Sequence, residues 1–498
     1  MDTAATFGQE NFGTAKLKNR SRTRRLVRLA DQLLEHPEGT LPDKLPRRKD
    51  LKAFYRLMAN PATTHDSLLA PHRDLVRQRM ATAGGTILLV HDTTELDFSG
   101  LLSVPDLGQL GNGKTRGLLC HNSLAVGGHD RRVLGLANQI LLRRPHVPKK
   151  ESRQDKRARQ DRESRLWQRA AAAIGDAPVG QRHVDVCDRG ADVFEFLEFE
   201  HRHGRAYVVR ATHDRATTRA DADPSVTAPS AQPGPLFTLA RSLPARGHKT
   251  VAVAARPGQS ARTARVRLAG AAIVLHAPKH ARGAHGQESL PLWVVYVGEE
   301  DAPQGREPVE WVLLTNVAVH SDQDVRERVD WYEARWLAEE FHKSQKTGCG
   351  IERLQLSKQN HDERGRAYKN RLEPAIAVLS VVAVQLLILR DWSRDESLGG
   401  RPATEVFAEE EVKVLGGWHY EDGRRLRTVG EFCEALAALG GHQGRKGDGM
   451  PGWQTLWRGW QKLHLMVQGA RAARAADAGR MHLTTATPGA DSDDLESG

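Results

Sequence analysis

The chain has 498 residues, a net charge of +11 and a pI near 9.6. That length allows two or more domains with well-buried cores. Its four cysteines (Cys120, Cys187, Cys349 and Cys433) form no CxxC pair, which argues against a zinc ribbon or disulfide framework and fits a reducing cytosol.

The positive charge is concentrated near the start: thirteen Lys/Arg stand against five Asp/Glu between Lys16 and Arg56. Such a cluster suits DNA or RNA, whose affinity comes largely from neutralised phosphates. No lipidation motif, basic amphipathic helix with aromatic anchors, or signal-peptide pattern is present, so a membrane partner is not expected. A cytoplasmic, nucleoid-associated protein is expected.

Residues from about 15 to 80 are expected to be helical. Leu26, Leu29, Ala30 and Leu33 make an apolar stripe, with Arg24, Arg25 and Arg28 on other faces. A turn around His36–Gly39 precedes a second helix near Asp50–Met58. The pattern then changes to strands: Thr86–Val90 runs into His91-Asp92-Thr93-Thr94, followed by Gly117–Val126 and Arg132–Leu142. A charged helix is expected over Arg153–Ile174. A buried strand, Val184–Cys187, ends at Asp188; a helix from Ala191 to Glu200 and a strand from Ala206 to Ala211 follow. This β and α alternation predicts a mixed sheet covered by helices.

His213 to Pro308 interrupts that order with an Ala/Asp/Pro-rich linker and segments of β alternation at Thr250–Ala254, Ala264–Leu268, Ala272–His276 and Leu292–Val297. The strand Glu310–Val317 resumes the core. Ala375–Leu389 is too short and too interrupted, by Ser380 and Gln385, for a membrane span and reads as a buried helix. Further on, Trp453, Leu456, Trp457, Trp460 and Leu463 form a helical stripe that suits either a small core or a dimer contact. The tail from Thr485 is acidic and expected to be disordered.

Tyr332, Arg335, Glu339 and Lys346 fall at i, i+3, i+7 and i+14. At roughly 100° per residue they share a helical stripe about 60° wide. A phenol, guanidinium, carboxylate and ammonium on one face suit phosphate and a metal ion, although a solvated face of charge pairs has the same pattern. Asp92 and Asp188 each follow an apolar strand, where ligands gather in α/β sheets. With Glu339 they could bind Mg²⁺ through hard oxygen donors. Asp97, Asp185, Asp192 and Glu340 are rivals on the same segments.

Several ordered motifs extend this pattern: His91-Asp92-Thr93-Thr94, Val186-Cys187-Asp188-Arg189-x-Ala191-Asp192, Tyr207-Val208-Val209-Arg210, Glu310-Trp311-x-Leu313-Leu314-Thr315, and the run from Tyr332 to Gly348. With them the chain resembles the DDE transposases of bacterial insertion sequences. The likeness is to the Y-R-E-K subgroup, which includes the transposase of the kanamycin-resistance transposon "five". Weaker likeness covers Thr23–Pro61 and Gly452–Trp460. Leu118 and Leu119 depart from the family's bulkier aromatics, while Lys114, Arg116 and Gly117 keep the pattern beside them.

The resemblance implies an α/β fold: a ribonuclease H-like catalytic core interrupted by a β-strand insertion, with helical N- and C-terminal domains. The expected divisions are a transposon-end DNA-binding domain at 1–80, a core at 81–212 and 309–392, the insertion at 213–308, a dimerisation domain at 393–480 and a tail at 481–498. Asp92, Asp188 and Glu339 would be catalytic and hold two Mg²⁺ ions, with Mn²⁺ able to substitute. Tyr332, Arg335, Lys346 and Arg210 would contact DNA phosphates, and Trp311 would stack a flipped base. Arg24, Arg25 and Arg28 would contact the transposon end, with Lys114 and Arg116 further DNA contacts.

The implied partners are double-stranded DNA, as inverted-repeat ends and target, and a second copy of the chain in a synaptic homodimer. The implied activity is cut-and-paste transposition. The alternatives are a catalytically inactive DNA-binding relative and a metal-dependent nuclease without strand transfer.

Overall fold

The computed structural model describes residues 5–36, 38–101, 104, 107–111, 113–144, 159, 161–220, 232–253, 260–278, 286–355, 371–394, 396–420, 422, 424–445 and 448–484. The tail from Thr485 and most of the Arg153–Arg162 stretch lie outside them. The chain divides into two compact units, residues 5–388 and a second from Leu389 onward.

The first unit begins with helices at Phe7–Phe12, Arg20–Glu35, Leu41–Lys44, Arg48–Met58 and His65–Ala83. Asn19 caps the second through its side chain, and the expected stripe of Leu26, Leu29, Ala30 and Leu33 is buried. Strands β1 (Thr86–Asp97), β2 (Gly108–Leu110), β3 (Thr115–Gly127) and β4 (Val133–Leu142) then run antiparallel to their neighbours. Strands β5 (Arg182–Cys187) and β6 (Ala206–Arg210) join in parallel, β5 against β1 and β6 against β5. The order β4-β3-β1-β5-β6, antiparallel in its first half and parallel in its second, is consistent with a ribonuclease H-like core.

The insertion does not form a sheet of its own. Its strands β7 (Ala216–Arg219), β8 (Gly234–Pro235), β9 (His248–Val253), β10 (Arg262–His276) and β11 (Ser289–Glu299) continue the core sheet through β12 (Glu310–Thr315), which pairs antiparallel with β6. The result is one sheet of twelve strands. The expected strands Ala264–Leu268 and Ala272–His276 are one long strand, because the pairing with β11 runs unbroken through Gly270, opposite Val295. A helix at Leu236–Ser242 was not anticipated; it buries Leu236 and Ala240 against the sheet.

The Ala191–Glu200 helix starts later, at Phe194, since Arg189–Ala191 forms a short 3₁₀ turn. The charged helix begins, among the described residues, at Leu166 after a 3₁₀ turn. Leu372–Trp392 is the one helix among the described residues long and apolar enough to cross a membrane; 89% of its apolar window is buried inside the protein.

In the second unit, helices at Glu409–His419, Val429–Leu439 and Trp453–Thr484 pack together. Two glycines set the closest approach. A Cβ on Gly440 would meet the Thr455 carbonyl oxygen at 1.9 Å, and one on Gly459 the Leu436 oxygen at 1.9 Å. The stripe of Trp453, Leu456, Trp457, Trp460 and Leu463 is buried within this unit, with Trp460 6.1 Å from Phe407. It forms a core, so a partner chain would have to use other residues, such as the exposed Leu465 and Trp418.

Candidate active site

Register brings the two aspartates together. Val90 pairs with Val186, and the parallel ladder ends one step later at His91 with Cys187. Side chains alternate across a sheet, so Asp92 and Asp188, each two residues beyond that valine pair, project on its face just past the ladder. Asp92 does not close its strand as the apolar run suggested. β1 continues to Asp97 as the antiparallel partner of β3, and only its pairing with β5 stops there. Asp188 accepts the Gly190 N–H at 3.0 Å and so caps the 3₁₀ turn that redirects the chain.

Glu339 comes from helix Trp336–Lys343, which packs across β1. Arg335 joins the two elements: its Nη1 donates to Asp92 Oδ2 at 2.9 Å, and its Nη2 donates to Glu339 Oε1. Burial raises the Asp92 pKa to about 7, with Asp188 and Glu339 adding to the rise and Arg335 opposing it. Burial likewise raises the pKa of Asp188. For Arg335, burial works against its charge, but Tyr332, Asp92 and Glu339 outweigh it and hold the pKa above the ordinary value. Among the described residues, no group of three or more His, Cys, Asp or Glu stands ready as a metal cluster.

The four-residue stripe is not one straight helical face. Helix Asp322–Glu333 ends at Ala334, and the chain re-enters at Trp336 through i→i−3 bonds from Arg335 to Tyr332 and from Leu337 to Ala334. After Lys343 it widens into a π turn, Ser344–Gly348. Two consequences follow for the expected side chains. Tyr332 is 4% exposed and packs edge-to-face on Trp311 at 5.2 Å, beside Arg210. Lys346 turns away from Glu339, placing its Nζ 3.5 Å from Glu352 Oε1. The same Glu352 oxygen accepts the Asp97 N–H at 2.9 Å.

Arg210 Nη2 donates to the Glu310 carbonyl at 2.7 Å, and burial lowers its pKa. This bond fixes the edge of β12 that carries Trp311. Thus Arg210, Trp311 and Tyr332 form one group, linked through Arg335 to Asp92 and Glu339. Lys346 stands apart from it.

The other expected DNA contacts lie elsewhere. Arg24, Arg25 and Arg28 are exposed on helix Arg20–Glu35, with Arg28 3.4 Å from Asp50. Lys114 precedes β3, and Arg116 lies in it with Nη2 donating to the Leu107 carbonyl. The N-terminal helices meet the stretch beyond Lys346: Tyr55 donates to the Gln355 carbonyl at 3.4 Å, and a Cβ on Gly350 would lie 3.2 Å from the Gly39 oxygen.

Asp185, a rival to Asp188 by sequence, lies on the opposite face from it. There it accepts from His91 Nε2 at 2.7 Å and from Arg205 Nη2 at 2.8 Å, with all three residues buried. Ser123 Oγ lies 2.8 Å from the other ring nitrogen of His91. The alternation of β5 is the signal that separates Asp185 from Asp188. Nothing in the sequence points to its partners.

Comparison with known families bears on both ends of the chain. Residues 4–63 match the family model described as transposase DNA-binding, and residues 422–479 match the transposase Tn5 dimerisation domain. In sequence, the two matches lie on either side of the segment that carries Asp92 and Asp188. They support a Tn5-type DNA transposase that binds DNA and forms a homodimer.

Proposed function

We propose that the chain is a cut-and-paste DNA transposase whose phosphoryl transfers occur at Asp92, Asp188 and Glu339. The observation that carries this reading is the meeting of Asp92 and Glu339 on one guanidinium, beside Asp188, at the end of a parallel ladder. The donor chemistry fits Mg²⁺ or Mn²⁺: Asp92, Asp188 and Glu339 offer hard oxygen ligands, and burial disfavours the charge of both aspartates until a cation joins them. Asp92, Asp188 and Glu339 would hold the ions, and Arg335 already supplies a cation at that place. Two divalent ions, when bound, supply Lewis acidity to the attacking and leaving oxygens of a phosphodiester.

The chain's own residues do the rest. Arg335 and Arg210 bind backbone phosphates, and Trp311, backed by the buried Tyr332, offers its ring to an unstacked base. At the transposon end, a water oxygen bonds to phosphorus, the P–O3′ bond breaks, and a 3′-hydroxyl is released. That hydroxyl attacks a phosphorus of the opposite strand, expelling the 3′-oxygen of the flanking DNA to give a hairpin, and water then attacks the hairpin phosphorus and releases the 3′-hydroxyl again. The freed 3′-hydroxyl then attacks target DNA in the same manner. Proximity and orientation of the attacking hydroxyl are what the surrounding residues contribute.

Inverted-repeat ends, if carried by the DNA beside the gene, are the substrate for the test. Asp92→Ala, Asp188→Ala and Glu339→Ala should each abolish end cleavage while end binding persists; cleavage retained by any of them refutes the assignment. Trp311→Ala should slow hairpin formation more than first nicking, and equal losses would remove the stacking role. Strand transfer from pre-cleaved ends separates a transposase from a nuclease.

A further inference from the structure

Asp92 pairs across the strands with Asn122 on β3, and Asn122 with Gln139 on β4. Directly opposed residues share a face, so a row of polar side chains runs sideways from the candidate catalytic carboxylate into the core. The row does not end at the sheet. Gln139 Nε2 donates to Asn122 Oδ1 at 2.7 Å and to Ser380 Oγ at 3.0 Å. Gln345 Nε2 donates to the same Ser380 Oγ at 2.9 Å, and Asn122 Nδ2 returns to Gln345 Oε1 at 3.2 Å. Four side chains from four elements therefore close a ring of hydrogen bonds. All four are buried: Asn122 0%, Gln139 3%, Gln345 0% and Ser380 0% exposed.

Two further residues complete it. His65 Nε2 lies 2.9 Å from Gln139 Oε1, and the Cys120 thiol donates to Asn122 Oδ1 at 3.4 Å. Burial keeps that thiol protonated, with its pKa raised to about 12.

We infer that this ring positions Glu339 and the π turn against Asp92, so that its members are positioning residues for the active site; the inference rests on the catalytic reading above. The argument is one of connectivity. Asp92 sits on β1, whose partner residue Asn122 is a ring member. Gln345 sits in the π turn that directly continues the Glu339 helix. Turning Gln345 inward also leaves its neighbour Lys346 outward, where it meets Glu352. A buried polar network is costly unless every member is satisfied, and when satisfied it specifies one arrangement. Here the arrangement specified is the offset between the strand and the helix that bring the carboxylates together. Ser380, a polar residue in the apolar stretch of its helix, is the hub because its oxygen accepts from both glutamines.

The test uses the full chain and Mn²⁺ as probe, with free Mn²⁺ followed by electron paramagnetic resonance. Ser380→Ala leaves two buried amides without their acceptor and should weaken Mn²⁺ binding by roughly 10–100-fold, the usual cost of losing support around metal ligands. End-DNA affinity should be unchanged, and Ser380→Thr should restore Mn²⁺ binding. Gln345→Met, which adds no unpaired group of its own, should weaken it as well and serves where Ser380→Ala does not fold. Mn²⁺ binding that depends on Asp92 yet is unchanged in the folded variants overturns the positioning role alone. A loss that Ser380→Thr does not restore does the same. Parent binding that ignores Asp92→Ala overturns the catalytic reading and this inference together.

Discussion

Two aspartates three residues apart, Asp185 in β5 and Asp188 just past its end, have opposite fates. Asp185, on one face, is fully buried and saturated: His91 and Arg205 both donate to it. Burial alone would raise its pKa, but those partners outweigh burial and hold it below the usual carboxylate value. Asp188, on the other face, lies beside Asp92 and Glu339, which share the Arg335 guanidinium, and burial raises the pKa of both aspartates. The contrast separates a structural acid from a chemical one. Fixed donors satisfy the first permanently. The second group is left short of positive charge, which is the condition a divalent ion can remedy.

The largest effect expected from breaking this contrast is on stability. Asp185→Ala leaves Arg205 as a buried charge without its main partner, a loss of about 3–5 kcal/mol for a broken buried pair. Urea unfolding should show a large fall in midpoint, and cleavage should disappear only as the fold does. Asp188→Ala, just past the end of that strand, should remove cleavage with little change in midpoint. Equal stability losses at the two positions would erase the distinction.

The second effect depends on pH. Folded Asp92 has a pKa of about 7, above its ordinary 3.8, so the folded chain holds a proton that the unfolded chain releases. Stability from that proton is full below about pH 4 and is lost as pH rises through 7. Asp92→Asn cannot lose it. In chelator, the variant and parent should melt alike near pH 4, with the variant pulling ahead towards pH 8 by on the order of 2–4 kcal/mol. A gap of the same size at both ends would mean that Asp92 is already ionised throughout.

Much of this was legible because it follows from period. Strand alternation and the apolar runs place Asp92 and Asp188 together, and the stripe on Arg20–Glu35 is buried as its spacing requires. Three features were not legible. The stripe from Tyr332 to Lys346 assumes one helix, whereas the chain tightens at Ala334 and widens at Ser344, and neither change leaves a mark in residue type. The insertion looked separate because its strands are remote in sequence; β12 pairing with both β6 and β11 makes it part of the core sheet. Helical spacing shows that the tryptophans share a face, but not what covers it, and the covering turns out to be the unit's own Phe407 and neighbouring helices.

The smallest effect tests whether Arg335 is a placeholder. Its guanidinium joins Asp92 and Glu339, and its side chain is 21% exposed against 13% and 36% for those partners. Partial exposure screens such a pair, so each contact contributes about 1 kcal/mol or less to folding. The same carboxylates are the proposed metal ligands, and a bound divalent ion would compete for the oxygens that Arg335 now holds. Arg335→Ala should therefore tighten Mn²⁺ binding by the DNA-free chain about fivefold, the equivalent of about 1 kcal/mol, with almost no change in melting temperature. DNA-bound cleavage should still fall, because the released guanidinium is the group proposed to take up a phosphate. Weaker Mn²⁺ binding in Arg335→Ala would reverse the relation: the guanidinium would be holding the carboxylates in place for the ion, as Arg205 holds Asp185, and the two faces of the sheet would be built alike.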